Sequence, residues 1–176
     1  MKESDTKEWL YESVYDGKSW SKPKRLEIEG LGKTRGRSYF LANAGWNYIH
    51  DPKIVMTNPT IAKDGKRIYF TSADIDGGKG GKDIWWIEPK DDKVWKYPVN
   101  AGATVNSEAD EDFAFVEKDE ILYITSKKDS AVSNLFKADA DGDTWSITEK
   151  MDAPYNTSSE DFNIIVKDGT PFLISN

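Results

Sequence analysis

The chain has 176 residues, a net charge of −7 from 24 basic and 31 acidic side chains, and no cysteine. That length buries one substantial core or a few stacked repeat units; the acidic balance excludes the basic face that nucleic-acid phosphates require, and the missing thiols exclude disulfides, thiolate metal sites and cysteine nucleophiles. Aromatic residues reach 12%, a composition that folds and favours strands.

The opening segment, "MKESDTKEWLYESVYDGKSW", has no apolar stretch of signal-peptide length, and no segment approaches the roughly 18 apolar residues of a membrane span. The expectation is a cytosolic protein or the mature portion of a longer exported chain. Within this segment Trp9 to Val14 and Ser19 to Leu26 read as two strands joined by a turn at Asp16-Gly17.

Residues 28–57 break the pattern that surrounds them and read as an insertion, with a hairpin expected from Ser38 to His50 that turns at Asn43-Ala44-Gly45. A four-stranded unit follows. Pro59 to Ala62, Arg67 to Ser72, Asp83 to Glu88 and Lys93 to Pro98 are its predicted strands. Asp64-Gly65 between apolar runs is a strong hairpin signal, and Ile84-Trp85-Trp86-Ile87 is apolar on both faces, as in a sheet sandwiched between neighbours.

The same order then recurs: Phe113 to Glu117, Ile121 to Ser126, Asn134 to Ala138 and Thr144 to Thr148. Trp95 and Trp145 lie 50 apart, as do Asn106 and Asn156. Each asparagine precedes an acidic pair, read as Glu111-Asp112 and Glu160-Asp161. A partial third copy, "EDFNIIVKDGTPFLISN", supplies two strands at the C-terminal end, while the first two strands match the third and fourth of a unit. Self-similarity of this period marks repeat architectures. The predicted fold is all-β: about three four-stranded antiparallel units, one of them split between the first and last β segments, which would share a sheet.

The elements "NPTIAKDGKRIYFTS", "GGKGGKDIW", "DGKSWSKP", "DGDTWS", "NSEADED" and "NTSSED" together resemble the TolB-like, WD40-like β-propeller repeats of bacterial OmpA-type, peptidoglycan-associated envelope proteins. They cover most of residues 9–27 and 58–176. The second unit departs from the pattern, with "KKDSAVS" in place of the glycine-rich loop and Asp119-Glu120 in its first turn. The resemblance implies β-propeller blades, a periplasmic or outer-membrane-associated setting, and a non-catalytic binding or scaffold role toward a protein or cell-wall glycan partner. The alternative it leaves open is the propeller portion of a carbohydrate-active or peptidase enzyme. Closed propellers use 4 to 8 blades, so three units call for a blade from the insertion, the remainder of a longer chain, or a homodimer.

Individual motifs carry little chemistry. Gly77, Gly78, Gly80 and Gly81 with Lys79 and Lys82 resemble a phosphate loop, but Asp83 and a strand follow where a Ser/Thr and a helix are needed; a compact turn with Asp83 bonding backbone amides is expected instead. Asp139 to Asp143 lacks the calcium-loop glycine and terminal glutamate, and reads as a hairpin turn. The cluster Glu108, Asp110, Glu111 and Asp112 is too contiguous for a glycosidase pair spanning about 5 to 9 Å, and its recurrence at Glu160-Asp161 points to architecture. His50, the single histidine, has no readable catalytic partner. Trp20, Trp95 and Trp145 hold matched positions and read as packing residues, whereas Trp46 and Trp9 fall outside that register. No cofactor or metal ligand set is expected.

Connectivity points to one rim. In a four-stranded unit the loop between strands two and three emerges on the same end as the linker to the next unit. The loop at 74–82 and the linkers at 103–111 and 153–160 should therefore lie together, and longer loops on a rigid scaffold concentrate binding. The candidate binding residues are Asp74, Lys79, Lys82, Asp110, Glu111 and Glu160.

Overall fold

The computed structural model describes residues 8–31, 35–36, 47–48, 54–62, 65–118, 121–167 and 170–175, and is all-β, with no helix among them. In chain order the strands are β1 (Tyr11–Glu12), β2 (Lys24–Arg25), β3 (Glu27–Ile28), β4 (Arg35–Gly36), β5 (Asn47–Tyr48), β6 (Thr57–Ile61), β7 (Ile68–Ser72), β8 (Asp83–Ile87), β9 (Val94–Trp95) and β10 (Val99–Asn100). They continue with β11 (Glu111–Glu117), β12 (Ile121–Ser126), β13 (Asn134–Asp141), β14 (Thr144–Trp145), β15 (Glu149–Lys150), β16 (Asp161–Lys167) and β17 (Thr170–Ser175).

Two antiparallel meanders form the centre. The first is ordered β10-β8-β7-β6, and the second β11-β12-β13 with β14 and β15 both paired to β13. Of the predicted fourth strands, Lys93 to Pro98 and Thr144 to Thr148, only β9 and β14 form, and a further short strand, β10 or β15, follows beyond each. In the first sheet β9 leaves β8 to pair in parallel with β3, and β10 takes the edge of β8. In the second, β14 continues the hairpin at Asp141 and β15 pairs further down, Phe136 opposite Lys150. The carboxylate of Asp16 accepts the N–H groups of Lys18 and Ser19, and that of Asp91 accepts those of Lys93 and Val94, so each aspartate fixes its own turn.

Alternation explains why these strands are apolar on both faces. Tyr69 and Ile84 join Leu122, Ile124, Phe136 and Trp145 in a cluster between the two meanders. Phe70, Trp85 and Ile87 point the other way, into a cluster with Trp9, Leu10, Leu26, Ile28, Ile54 and Met56. Tyr123 and Leu135 face a third cluster with Ile164. Successive strand residues therefore serve different cores, each fully buried aliphatic or aromatic side chain contributing about 1.5–3 kcal/mol. The units stack in chain order.

One expectation is not met within the single chain. Among the described residues β1 pairs with β2 and β16 with β17, in separate two-stranded sheets, and no pairing joins the first strands to the last. The cause is the stacking order: the β1–β2 hairpin covers the outer face of the first meander, while β16–β17 covers the opposite outer face of the second. The insertion is also narrower than 28–57 implies, because Ile28, Ile54 and Met56 belong to the core and Thr57 opens β6. Arg35–Gly36 pairs with Asn47–Tyr48; the predicted turn at Asn43-Ala44-Gly45, Trp46, His50 and the turn at Asp119-Glu120 lie outside the described residues.

Candidate functional site

The linkers are built from two side chains that substitute for backbone. Asn106 accepts the Ile84 N–H with Oδ1 and donates to the Ile84 carbonyl with Nδ2, both at 2.9 Å. Its counterpart Asn156 does the same to Leu135, at 2.6 and 3.0 Å. Each asparagine thus acts as a one-residue strand on the edge of the preceding sheet. Five positions later Glu111 accepts the Ser107 N–H at 2.9 Å, the Ser107 hydroxyl at 2.6 Å and the Ser126 hydroxyl at 2.7 Å. Asp161 takes the Thr157 N–H at 2.8 Å in the same way.

This places the repeat in a definite register, with Asp110 matching Glu160 and Glu111 matching Asp161. The sequence reading paired Glu111 with Glu160, one residue out. The slip arises because Asp110, Glu111 and Asp112 are three consecutive acidic residues, so Glu160-Asp161 can be set against either pair of them; the bulges in β11 and β16 each add one residue and leave the offset unchanged.

The glycine-rich loop lies against the first linker. Gly81 N–H donates to the Ala109 carbonyl at 3.3 Å, and the Glu111 N–H to the Lys82 carbonyl at 2.8 Å. A Cβ on Gly80 would sit 2.6 Å from the Ala109 and Ser107 carbonyl oxygens, and one on Gly81 2.0 Å from Asp110 Oδ1. Close backbone approach is the reason for glycine here. Asp83, buried, accepts the Lys79 N–H and closes the turn.

Where loop, linkers and bulges meet there is an open groove of about 600 Å³, bordered by Asn58, Lys82, Asp110, Asp112, Phe113, Lys127, Glu160 and Phe162. Asn58 and Phe113 both have positive φ, 49° and 50°, on bulges of β6 and β11. That strained backbone turns their side chains toward the groove wall rather than into the sheet.

The charges are paired. Lys82 Nζ lies 2.9 Å from Asp112, which also accepts Asn58 Nδ2 at 2.6 Å and the Phe113 N–H at 2.9 Å. Burial works to raise the Asp112 pKa, but the Lys82 ammonium, with Asn58 and the Phe113 N–H, outweighs it and holds the carboxyl below its usual range. The contact with Asp112 in turn raises the Lys82 pKa. Glu160 accepts the Ser133 N–H at 2.8 Å and stands 3.6 Å from Lys127; the Ser133 N–H above all, and then Lys127, lower its pKa.

Of the six sequence candidates, Lys82, Asp110 and Glu160 border the groove. Asp74 instead accepts the Val55 N–H at 3.0 Å, and Lys79 contributes its backbone to the Asp83 turn. Glu111 is 0% exposed and serves as the linker clasp. Asn58, Asp112, Phe113, Lys127 and Phe162 escaped sequence reasoning. The recurring Phe113 and Phe162 after acidic pairs were visible, but the bulges that aim residues into the groove leave no local signature.

No family model, curated protein or solved structure matches the chain. Among the described residues no group of three or more His, Asp or Glu is placed to hold a metal ion, and no helix is long and apolar enough to cross a membrane.

Proposed function

We propose that the chain is a non-catalytic binding or scaffold module of β-propeller type from a bacterial cell envelope, presenting the linker rim to a protein or cell-wall partner. The observation that carries this reading is the groove of Lys82, Asp112, Phe113, Lys127, Glu160 and Phe162. It combines half-buried aromatic rings with ion pairs on a backbone knitted by Asn106, Glu111, Asn156 and Asp161. Rigid presentation of a few aromatic and charged groups favours binding, because little order has to be gained when a partner docks.

Catalysis is the weaker reading on the same residues. Glycoside cleavage needs one carboxyl with a raised pKa as the proton donor beside a second, ionised one. Asp112 and Glu160 are both held ionised. The decisive experiment is co-sedimentation with purified peptidoglycan and capture from a displayed peptide library, each repeated with Phe113→Ala and Lys127→Glu. Loss of binding in both variants, with no glycan or peptide turnover by the parent protein, is expected. Turnover that disappears in Asp110→Asn or Glu160→Gln would replace this reading with the enzymatic one.

A further inference from the structure

The two outer hairpins, separate in this structure, reproduce complementary halves of the second meander, which supplies a register for each. β1–β2 reproduces β13–β15 residue for residue: Tyr11 opposite Arg25 and Glu12 opposite Lys24 match Phe136 opposite Lys150 and Lys137 opposite Glu149. The Leu26 N–H donates to Leu10 as the Met151 N–H does to Leu135, and the Ser21 N–H to Val14 as the Ser146 N–H does to Asp139. Even the serine hydroxyls repeat, with Val14 N–H on Ser21 Oγ and Asp139 N–H on Ser146 Oγ. β16–β17 likewise reproduces β11–β12, since Ile165 opposite Phe172 and Lys167 opposite Thr170 match Phe115 opposite Tyr123 and Glu117 opposite Ile121.

The side chains that face neighbours in the complete sheet are bare in the halves. Phe136 and Trp145 are 1% and 6% exposed between the meanders, with the Trp145 ring tilted against that of Tyr69 at a centroid distance of 6.1 Å. Their counterparts Tyr11 and Trp20 are 57% and 68% exposed. On the C-terminal half Phe172 and Ile165 are 56% and 47% exposed, where the equivalent Tyr123 is 8% exposed. Among the described residues the free edges of β1 and β17 have no strand beside them. An unpaired edge flanked by bare aromatics is a template for another strand.

We infer that these halves are completed by a second copy of this chain, β17 of one pairing antiparallel with β1 of the other. The second copy is the occupant that fits, because this chain carries both halves, on opposite ends of its own stack. Transferring the β12–β13 register, in which Ile121 faces Asp139 and Ile124 faces Phe136, sets Thr170 opposite Val14 and Leu173 opposite Tyr11. Trp20 then lies on the second meander of the other copy, beside Tyr123, as Trp145 lies on Tyr69. Phe172 lies beside the other copy's Trp95. Reciprocal exchange forms two composite sheets, closes the contact with two-fold symmetry, and gives six sheets in all, within the range of closed rings. Pro171 removes at most one donor from the new ladder.

The absence of native cysteine makes cross-linking a clean test. Val14→Cys and Thr170→Cys, placed on separate chains and mixed under mild oxidant, should yield a disulfide-linked pair, whereas Lys18→Cys with Thr170→Cys should not. Light scattering should give a mass of two chains, reduced to one in Trp20→Asp with an unchanged circular-dichroism spectrum, since Trp20 supports no contact with the monomer core. A one-chain mass at 100 μM (about the concentration at which weak pairs assemble) with no cross-link would overturn the inference. A disulfide within a single chain carrying both cysteines would overturn it in favour of self-closure.

Discussion

Replacing Glu111 by alanine tests whether the linkers are structural clasps. The carboxylate is fully buried and accepts three hydrogen bonds, two from Ser107 and one from Ser126. Hydrogen bonds to a charged acceptor contribute about 1.5–3 kcal/mol each. The two hydroxyls can rotate toward other acceptors, so each of those losses falls near the lower limit, while the Ser107 N–H is left without its partner. The sum is about 5 kcal/mol, and at about 2–4 °C per kcal/mol for a chain of this size the midpoint falls by about 10–20 °C. Urea unfolding followed by tryptophan fluorescence measures the loss, and Asp110→Ala, which removes an exposed carboxylate one residue away, should shift stability by under about 1 kcal/mol. If Glu111→Ala cost less than about 1 kcal/mol, or if both variants cost the same, the clasp argument would fail and Glu111 would return to the list of binding residues.

Asn106→Ala removes two bonds to Ile84 and one to Asn100, at 2.8 Å, and should cost about 2–3 kcal/mol, with amide exchange accelerated at Ile84 first. Asp83 has its pKa raised by burial, opposed by the Lys79 N–H and Asn100. Its folded-state contribution is therefore present below the unfolded carboxyl pKa of about 3.9 and is lost as pH rises through the folded value. Asp83→Asn, the residue type found at the matching Asn134, should raise the thermal midpoint at pH 7 and leave it unchanged at pH 3; a uniform shift at both pH values would contradict this. Asp112 has the opposite sign, since its depressed pKa stabilises above about 3.9 and the effect fades as pH falls through the folded value. Lys82→Met should cost about 1 kcal/mol at pH 7, the upper range for a half-exposed pair, and nothing measurable in acid melts near pH 2.

Much of the architecture was legible because strand repeats write themselves in period and in turn chemistry. Asp64-Gly65, Asp141-Gly142 and the matched Trp95 and Trp145 located both meanders, and the β12 boundaries agree with the expectation of Ile121 to Ser126. The fourth strands were harder. Val94–Trp95 has the composition of a strand edge, yet its partner is β3, which lies some sixty-seven residues earlier in the chain, and no local pattern encodes that distance. The glycine-rich loop is the compact turn closed by Asp83 that its residues imply, but its purpose, letting the linker pass within contact of Gly80 and Gly81, depends on a segment about thirty residues downstream.

The sequence by itself determined the all-β class, the repeat, the linker asparagines and the rim on which loops gather, since each follows from spacing and residue type along the chain. Tertiary structure alone decided which acidic residues are clasps and which face the groove. Glu111 and Asp112 are neighbours of like chemistry, but one points into the sheet against Ser107 and Ser126 and the other toward Lys82. Strand alternation sends adjacent side chains to opposite surroundings, and a bulge shifts that alternation by one residue without altering the composition that a sequence reader sees.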